Sequence, residues 1–357
     1  MLKVGIVGCG GIAKQKHLPS LSKIKEVSLA AFCDIIPERA ETNAKEYGIE
    51  GAKVYTDYKE MLAKEKPDVV HVLTPNKSHA EITVAALEAG AHVMCEKPMA
   101  KTYADAQAML EAQKRTGKKL TIGYQNRFNP ESQYIKSAVT RGDLGEVYFA
   151  KAHALRRRAV PTWGVFLDEE QQGGGPLIDI GTHALDLTLW CMDNYKVKSV
   201  KGSVFKKLGD QTETGNAWGD WDPKEYTVED SAFGFITMES GATIFLEASW
   251  AINLADTYEA KCTLAGTKAG ADMFGSGARI NGVEFNRQYV KEPNLKAGGV
   301  AFYDGAASSA ADQEARAWVD AILNDTQPYV LPEQAIVVTQ ILEAVYESAR
   351  TGKTIEF

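Results

Sequence analysis

Val4-Gly5-Ile6-Val7-Gly8-Cys9-Gly10-Gly11-Ile12-Ala13 decides the reading of this chain. A short apolar run is followed at once by three glycines in four positions, and then by a helical pattern. Dinucleotide binding asks for a tight turn at Gly8, room for backbone to approach a pyrophosphate at Gly10, and close helix–strand packing at Ala13. The N-terminus of the following helix then offers free N–H groups to the anion, so Gly11 and Ile12 join the cofactor-binding set. A Gly-x-Gly-x-x-Ala run is weak by itself. Here the strand before it, the helix after it and an acid at the end of the next strand agree. That acid is Asp34, placed to accept hydrogen bonds from ribose hydroxyls and to repel a 2′-phosphate, which favours NAD over NADP. Arg39 is expected over the adenine or toward solvent, although an arginine nearby is also what a 2′-phosphate would need.

The same grammar continues outward. Val27–Cys33, Asp68–Leu73, His92–Cys95 and Leu120–Gly123 read as near-continuous apolar strands, the pattern of a parallel sheet covered on both faces. Pro37 opens a helix that Gly48 closes, and Asp57 with Glu60 reads as a capping box. Further helices are predicted over His79–Ala89 and Tyr103–Thr116. The repetition predicts a doubly wound α/β sheet. After Gly123 the pattern changes to strands, at Gly145–Ala154, Lys196–Phe205, Ser231–Met238, Ala242–Trp250 and Glu259–Leu264. Helices are predicted at Glu131–Thr140, Leu177–Cys191, Asp312–Leu323 and Pro332–Arg350. The expected organisation is a Rossmann domain over residues 1–123 and an α+β domain with a large, mainly antiparallel open sheet over 124–357.

At 357 residues, a two-domain chain of this kind needs no metal or disulfide to hold a core. The net charge of −7 argues against nucleic acid as a partner. No run of about eighteen apolar residues is present, so no membrane span is predicted. The N-terminus lacks the shape of a secretory signal. The five cysteines are scattered through apolar segments, as buried free thiols would be, and a cytoplasmic location is expected. Metal-ligand spacings are missing, so no metal is expected.

Three further clusters carry chemistry. Glu96-Lys97-Pro98 follows an apolar strand, and in an open α/β sheet that end faces the ligand crevice. Thr74-Pro75-Asn76, with His79 beyond, sits at the equivalent end of the preceding strand, and these four residues are cofactor-binding candidates. Gly173-Gly174-Gly175 precedes Asp179 and His183, an i, i+4 pair on one helix face and a candidate for a held general base.

Gly8-x-Gly10-x-x-Ala13, Asp34, Thr74-Pro75-Asn76, His79, Glu96-Lys97-Pro98 and Asp179-x-x-x-His183, in that order, resemble the Gfo/Idh/MocA family of nicotinamide-dependent sugar and polyol oxidoreductases. The resemblance covers nearly the whole chain and is weaker after about residue 205. It implies that Lys97, Asp179 and His183 form the catalytic group and contact the substrate. It also implies that Glu96 and Asn76 place the nicotinamide end of the cofactor, and that Arg127 lies near cofactor or substrate. The expected reaction is reversible oxidation of a secondary hydroxyl of a sugar, glycoside or inositol-like polyol to a ketone, with His183 as base and Lys97 stabilising the alkoxide. Two rivals stand beside it on the same scaffold. One is an NAD-dependent glycosidase or lyase, which would return the hydride and accumulate no NADH; the other is a non-catalytic sugar or nucleotide sensor.

Trp163 is a candidate to stack on a sugar face or to pack in the core. Arg156-Arg157-Arg158 reads as a solvated edge or an anion site. Lys206–Thr227, with Trp218 and Trp221, reads as a long irregular loop. Ile244, Phe245 and Leu246 make their strand too apolar for a sheet solvated on one side, so a homodimer or homotetramer is expected.

Overall fold

The apolar run that begins the chain is a central strand. β1 (Leu2–Val7) lies between β2 (Val27–Cys33) and β4 (Val69–Val72), so both its edges are paired, and Val4, Ile6 and Val7 are buried. With β3 (Lys53–Tyr55), β5 (His92–Cys95) and β6 (Leu120–Ile122) these strands form a sheet in the order β3-β2-β1-β4-β5-β6. It is parallel throughout, as its buried strands predict. The crossover helices start and stop on their own chemistry. Pro37 begins Pro37–Tyr47, the Asp57 side chain accepts from Lys59 N at the head of Tyr58–Glu65, and Gly117 ends Tyr103–Thr116 at φ 66°. Strand order reverses between β1 and β4, the switch point beyond whose C-terminal ends open α/β sheets bind ligands.

The computed structural model describes residues 1–295 and 308–357. The chain divides into two compact units, Met1–Gln125 with Ser308–Ile336, and Asn126–Ala307 with Val337–Phe357. The segment 308–336, assigned from sequence to the second domain, packs with the first unit instead. Its helix Ala310–Leu323 starts on a capping box between Ser309 and Asp312. Its Ala315, Trp318 and Val319 share one buried core with Val4, Ile6, Leu18, Leu21 and Phe32.

The second unit is built on one sheet in the order β14-β13-β12-β11-β7-β10-β9-β8-β15. Its strands are β7 (Val147–Leu155), β8 (Val197–Phe205), β9 (Ser231–Met238), β10 (Thr243–Ser249), β11 (Glu259–Gly266), β12 (Ala269–Phe274), β13 (Gly277–Glu284), β14 (Arg287–Lys291) and β15 (Ile355–Glu356). Only the β7/β10 pair is parallel. One face is covered, with helix Thr182–Met192 packed on β7 and β11. Strand β10 alternates: Ile244, Leu246 and Ala248 are buried, while Phe245 is half-exposed on the other face. Of the three apolar residues expected to seek a partner, Ile244 and Leu246 therefore already have a core. Phe245 meets Phe149 edge-on and Phe235 at a tilt of 53°, each with ring centroids 5.3 Å away.

The loop between β8 and β9 contains no helix or strand over 206–227 but is tied down. The N–H groups of Lys207, Leu208 and Gly209 converge on Asp230 Oδ2, and Trp221 Nε1 donates to the Gly209 carbonyl at 2.9 Å. No helix among the described residues is long and apolar enough to cross a membrane.

Trp318 tests the split of the C-terminal segment. Trp318→Ala should cost about 3–5 kcal/mol, the usual range for emptying a buried tryptophan site. The loss should appear as a lowered urea midpoint for the first unit. An unchanged midpoint would mean that helix Ala310–Leu323 contributes nothing to that core.

Candidate active site

In the first unit the glycine loop leaves β1 under steric compulsion. Gly8 has φ +92°, and a Cβ there would lie 2.6 Å from the Leu73 backbone, so only glycine fits. At Gly10 a Cβ would meet nothing within 4 Å, and at Gly11 only Gln15 Nε2 at 3.9 Å. That side of the loop is an open cradle. Gly11 and Ile12 face solvent, while Ala13 is buried against the sheet. Asp34 accepts from Cys9 N at 2.7 Å and from Ile36 N at 2.9 Å, so it fastens the loop from the end of β2. Asn43 adds a bond to the Cys9 carbonyl at 3.1 Å. Ile35 and Arg39 beside Asp34 are exposed. An open glycine cradle with a carboxylate at the neighbouring strand end fits the phosphates and ribose of a dinucleotide.

A π-helical turn, Ala13–His17, comes after the loop and turns Lys16 and His17 inward. They meet Glu96, the residue after β5. Glu96 Oε1 accepts from Lys16 Nζ at 2.6 Å and His17 Nε2 at 2.8 Å, and Oε2 accepts from Lys97 N at 3.0 Å. Lys16 also reaches Gln125 Oε1 at 2.7 Å and Glu314 Oε2 at 2.9 Å. Burial works against the Glu96 charge, but Lys16 and His17 hold its carboxyl well below the ordinary range. Burial opposes the Lys16 charge too, and Glu314 with Glu96 lifts it above the usual lysine value. Burial, then Lys16, lowers His17, and burial holds His71 well below the usual histidine value. His17 Nε2 donates to the Glu96 carboxylate, and its Nδ1 lies 3.2 Å from His71 Nδ1. No hydrogen-bond partner lies against the buried His71 Nε2.

His79, expected to touch cofactor, is buried and spends both ring nitrogens on backbone. Nδ1 lies 2.8 Å from the Pro98 carbonyl and Nε2 2.9 Å from that of Thr74. It joins the Thr74-Pro75-Asn76 loop to the Lys97-Pro98 loop as a clamp. Burial lowers its pKa as well. From Val93 to Ala100, Lys97 alone is not buried.

In the second unit Glu229 holds the glycine run. Its carboxylate accepts from Gly175 N at 2.8 Å, Leu177 N at 3.1 Å and Tyr346 Oη at 2.9 Å. A second π-helical turn, Leu177–Gly181, precedes helix Thr182–Met192, where a single regular helix was expected. From Gly174 to Met192 only Asp179 and His183 are not buried. Trp250 Nε1 donates to Asp179 Oδ2 at 3.0 Å and fixes that carboxylate. Arg127, expected near cofactor or substrate, is 0% exposed. Its Nε and Nη2 bind Asp186 at 2.9 and 2.5 Å, so it braces the helix. Arg156 is committed to Glu259 through two bonds of 2.6 and 2.5 Å, and Arg158 to Asn253 at 2.6 Å, which leaves Arg157 as the exposed member of that run.

Sequence reasoning missed Lys16, His17, His71, Glu314, Glu229 and Trp250. A histidine in the middle of apolar β4 was the one available signal; the others are joined only by folding. The five thiols are buried, and burial together with Asp34 pushes Cys9 and Cys33 up to about 12, which leaves them poor nucleophiles. No group of metal-binding side chains occurs among the described residues.

The buried histidines set a pH dependence. His17, His71 and His79 have folded pKa values below the unfolded one, about 6.5. The unfolded chain therefore binds more protons below that pH. Stability is full above it and falls with decreasing pH, by at most about 1.4 kcal/mol per pH unit for each histidine. Urea midpoints between about pH 7.5 and 5.5 should show this slope, and His17→Gln should flatten it. An identical slope in the variant would remove His17 from the account.

Comparison with known proteins agrees with this layout. A family model described as an oxidoreductase family with an NAD-binding Rossmann fold matches residues 2–124, and one for the GFO/IDH/MocA C-terminal domain matches 132–272. D-glucoside 3-dehydrogenase of Escherichia coli (strain K12) is 38% identical over 360 residues, covering 99% of this chain and 97% of that protein. Inositol 2-dehydrogenase of Salmonella typhimurium is 29% identical over 274 residues, 76% of this chain and 74% of its own. The crystal structure of aldose-aldose oxidoreductase from Caulobacter crescentus, complexed with glycerol, superposes with a TM-score of 0.81 at 25% identity, covering 100% of this chain and 99% of that one. The glycine cradle, the strand-end lysine and the glycine-led Asp–His helix thus sit in a chain matched along both units, and the protein belongs to the Gfo/Idh/MocA family of oxidoreductases.

Proposed function

We propose that this oxidoreductase is an NAD-dependent dehydrogenase that oxidises a secondary ring hydroxyl of a glycoside to the ketone, reversibly. The observation that carries the reading is end-to-end similarity to a D-glucoside 3-dehydrogenase, together with Lys97, Asp179 and His183 as the solvent-reaching residues of otherwise buried segments. Gly8, Gly10, Gly11 and Ile12 would hold the dinucleotide, with Asp34 at its ribose; a carboxylate there disfavours a 2′-phosphate, which supports NAD. Asn76 and Glu96, at the ends of β4 and β5, are assigned to the nicotinamide end.

When bound, the nicotinamide supplies the acceptor for the hydride leaving the carbinol carbon. His183 takes the hydroxyl proton. Asp179, one turn earlier and oriented by Trp250, supports the imidazolium charge that results. The Lys97 ammonium offsets negative charge growing on the carbinol oxygen. Its backbone N–H is fixed by Glu96, so the side chain starts from a rigid base. The open sheet face around Phe149, Phe235 and Phe245 is assigned to a second copy of the chain, giving a homodimer or homotetramer.

NADH should form from NAD on addition of a glucoside, with much less product from NADP. Asp34→Ser should weaken NAD binding and narrow that preference. His183→Ala should lower kcat by about 10²–10⁴-fold. Lys97→Met should lose a comparable factor, with NAD affinity changed much less than turnover. Substrate consumption without net NADH would overturn the reading in favour of a redox-neutral glycosidase or lyase cycle. Either variant retaining turnover within about threefold of the parent would remove that residue from the chemistry.

A further inference from the structure

Six tryptophans occur in the chain, and their exposures separate them into two groups. Trp190, Trp221, Trp250 and Trp318 are buried, whereas Trp163 is 53% and Trp218 44% exposed. The two exposed rings touch each other, with centroids 5.1 Å apart and planes at 71°, so together they make an apolar corner open to solvent. Both lie in irregular backbone, yet neither is loose. Asn216 exchanges two bonds with Val160, Ala217 N donates to the Arg158 carbonyl, and Thr162 Oγ1 donates to the Trp218 carbonyl, all between 2.8 and 3.0 Å. The Arg156 guanidinium sits 5.2 Å from the Trp218 ring and is itself anchored on Glu259. Two large apolar rings are thus held at the surface by polar bonds rather than by a core.

Their position relates them to the chemistry. Trp163 contacts Phe166 at 6.0 Å, Phe166 contacts Trp250 at 6.3 Å, and Trp250 Nε1 holds Asp179. A row of rings therefore runs within one unit from the exposed corner to the carboxylate assigned to catalysis. We propose that Trp163 and Trp218 form a stacking site for the ring-bearing aglycone of the glycoside, while the reacting sugar ring lies at the Asp179 end. This rests on the proposed glycoside activity and extends it, because a free monosaccharide has no second ring to place there. Pyranose and aryl rings share what the corner selects, an apolar face with a polar or open rim. A protein partner is disfavoured by size: two side chains fall far below the roughly 1,600 Å² of a stable interface. The larger exposed aromatic face, around Phe235 and Phe245, lies elsewhere on the sheet.

The test compares methyl glucoside, phenyl glucoside and a glucose disaccharide as substrates of the NAD-loaded enzyme. The Trp163→Ala/Trp218→Ala double variant should lose about tenfold or more in kcat/KM on the two-ring substrates, mainly through KM, and less than about threefold on methyl glucoside. Trp163→Phe should restore most of the loss. Tryptophan emission of the parent should change on adding phenyl glucoside or the disaccharide and stay constant with methyl glucoside; should the double variant not fold, this response decides alone. Loss on only one of the two-ring substrates still supports the site and identifies its ring. Equal losses on all three substrates, no loss on any, or a change of sedimenting mass in the double variant would overturn the proposal. If the parent oxidises free polyols or aldoses but no glycoside, the functional reading fails and this site with it. If it oxidises glycosides without discrimination by the variants, the stacking site alone fails.

Discussion

One carboxylate, Glu96, ties the first unit to its own chemistry. Its two oxygens take hydrogens from Lys16, His17 and the Lys97 backbone. Through Lys16 the tie extends to Gln125 and Glu314, and through His17 to His71 in the middle of β4. The turn after the glycine loop, two central strands, the start of 3-10 turn Gln125–Phe128 and helix Ala310–Leu323 thus share one buried network. Removing one member of such a pair costs about 3–5 kcal/mol because the remaining charge stays buried without compensation. The network is better understood as a device of register than of net stability. It admits only one placement of the loop carrying Lys97, and His79 fixes the neighbouring loop against it.

The second unit solves the same problem with different groups. Glu229 gathers two backbone N–H groups of the glycine-led turn, and Trp250 orients Asp179. Burial raises the Glu229 carboxyl while the hydrogen bonds from Gly175, Leu177 and Tyr346 oppose it. A π-helical turn comes after the glycines in both units, at Ala13–His17 and Leu177–Gly181. Such turns widen the helix by a residue and rotate the next turn of chain, and they are frequent at functional sites. In the first unit the turn sends Lys16 and His17 into the core. In the second it holds Asp179, which with His183 reaches solvent from a stretch otherwise buried.

The residues assigned to chemistry share a setting. Lys97, Asp179 and His183 are each the exceptions in a buried stretch. Their backbones cannot wander without breaking core packing, which is how a protein holds reactive groups to a small positional tolerance. The groups assigned to recognition are placed otherwise. Gly10 and Gly11 offer backbone with nothing in front of it, and Trp163 and Trp218 offer rings held from behind by cross-laced loops.

Much of this was legible in the chain itself, wherever the cause is local. Apolar continuity in β1, β4 and β5 determined a sheet covered on both faces. Gly8 and Gly117 marked turns that need positive φ, and Pro37 and Asp57 marked helix starts. The i, i+4 spacing of Asp179 and His183 singled them out as a pair, and both reach solvent from a stretch otherwise buried. Tertiary structure decided what depends on partners far apart in sequence. Nothing near Asp179 announces Trp250, 71 positions away, and nothing in the amphipathic pattern of Ala310–Leu323 says which sheet it covers. Arg127 and His79 show the same limit, since their buried partners, Asp186 and two backbone carbonyls, are set only by folding. Periodicity and turn chemistry act over a few residues, whereas burial and pairing are settled only when distant segments compete for the same space.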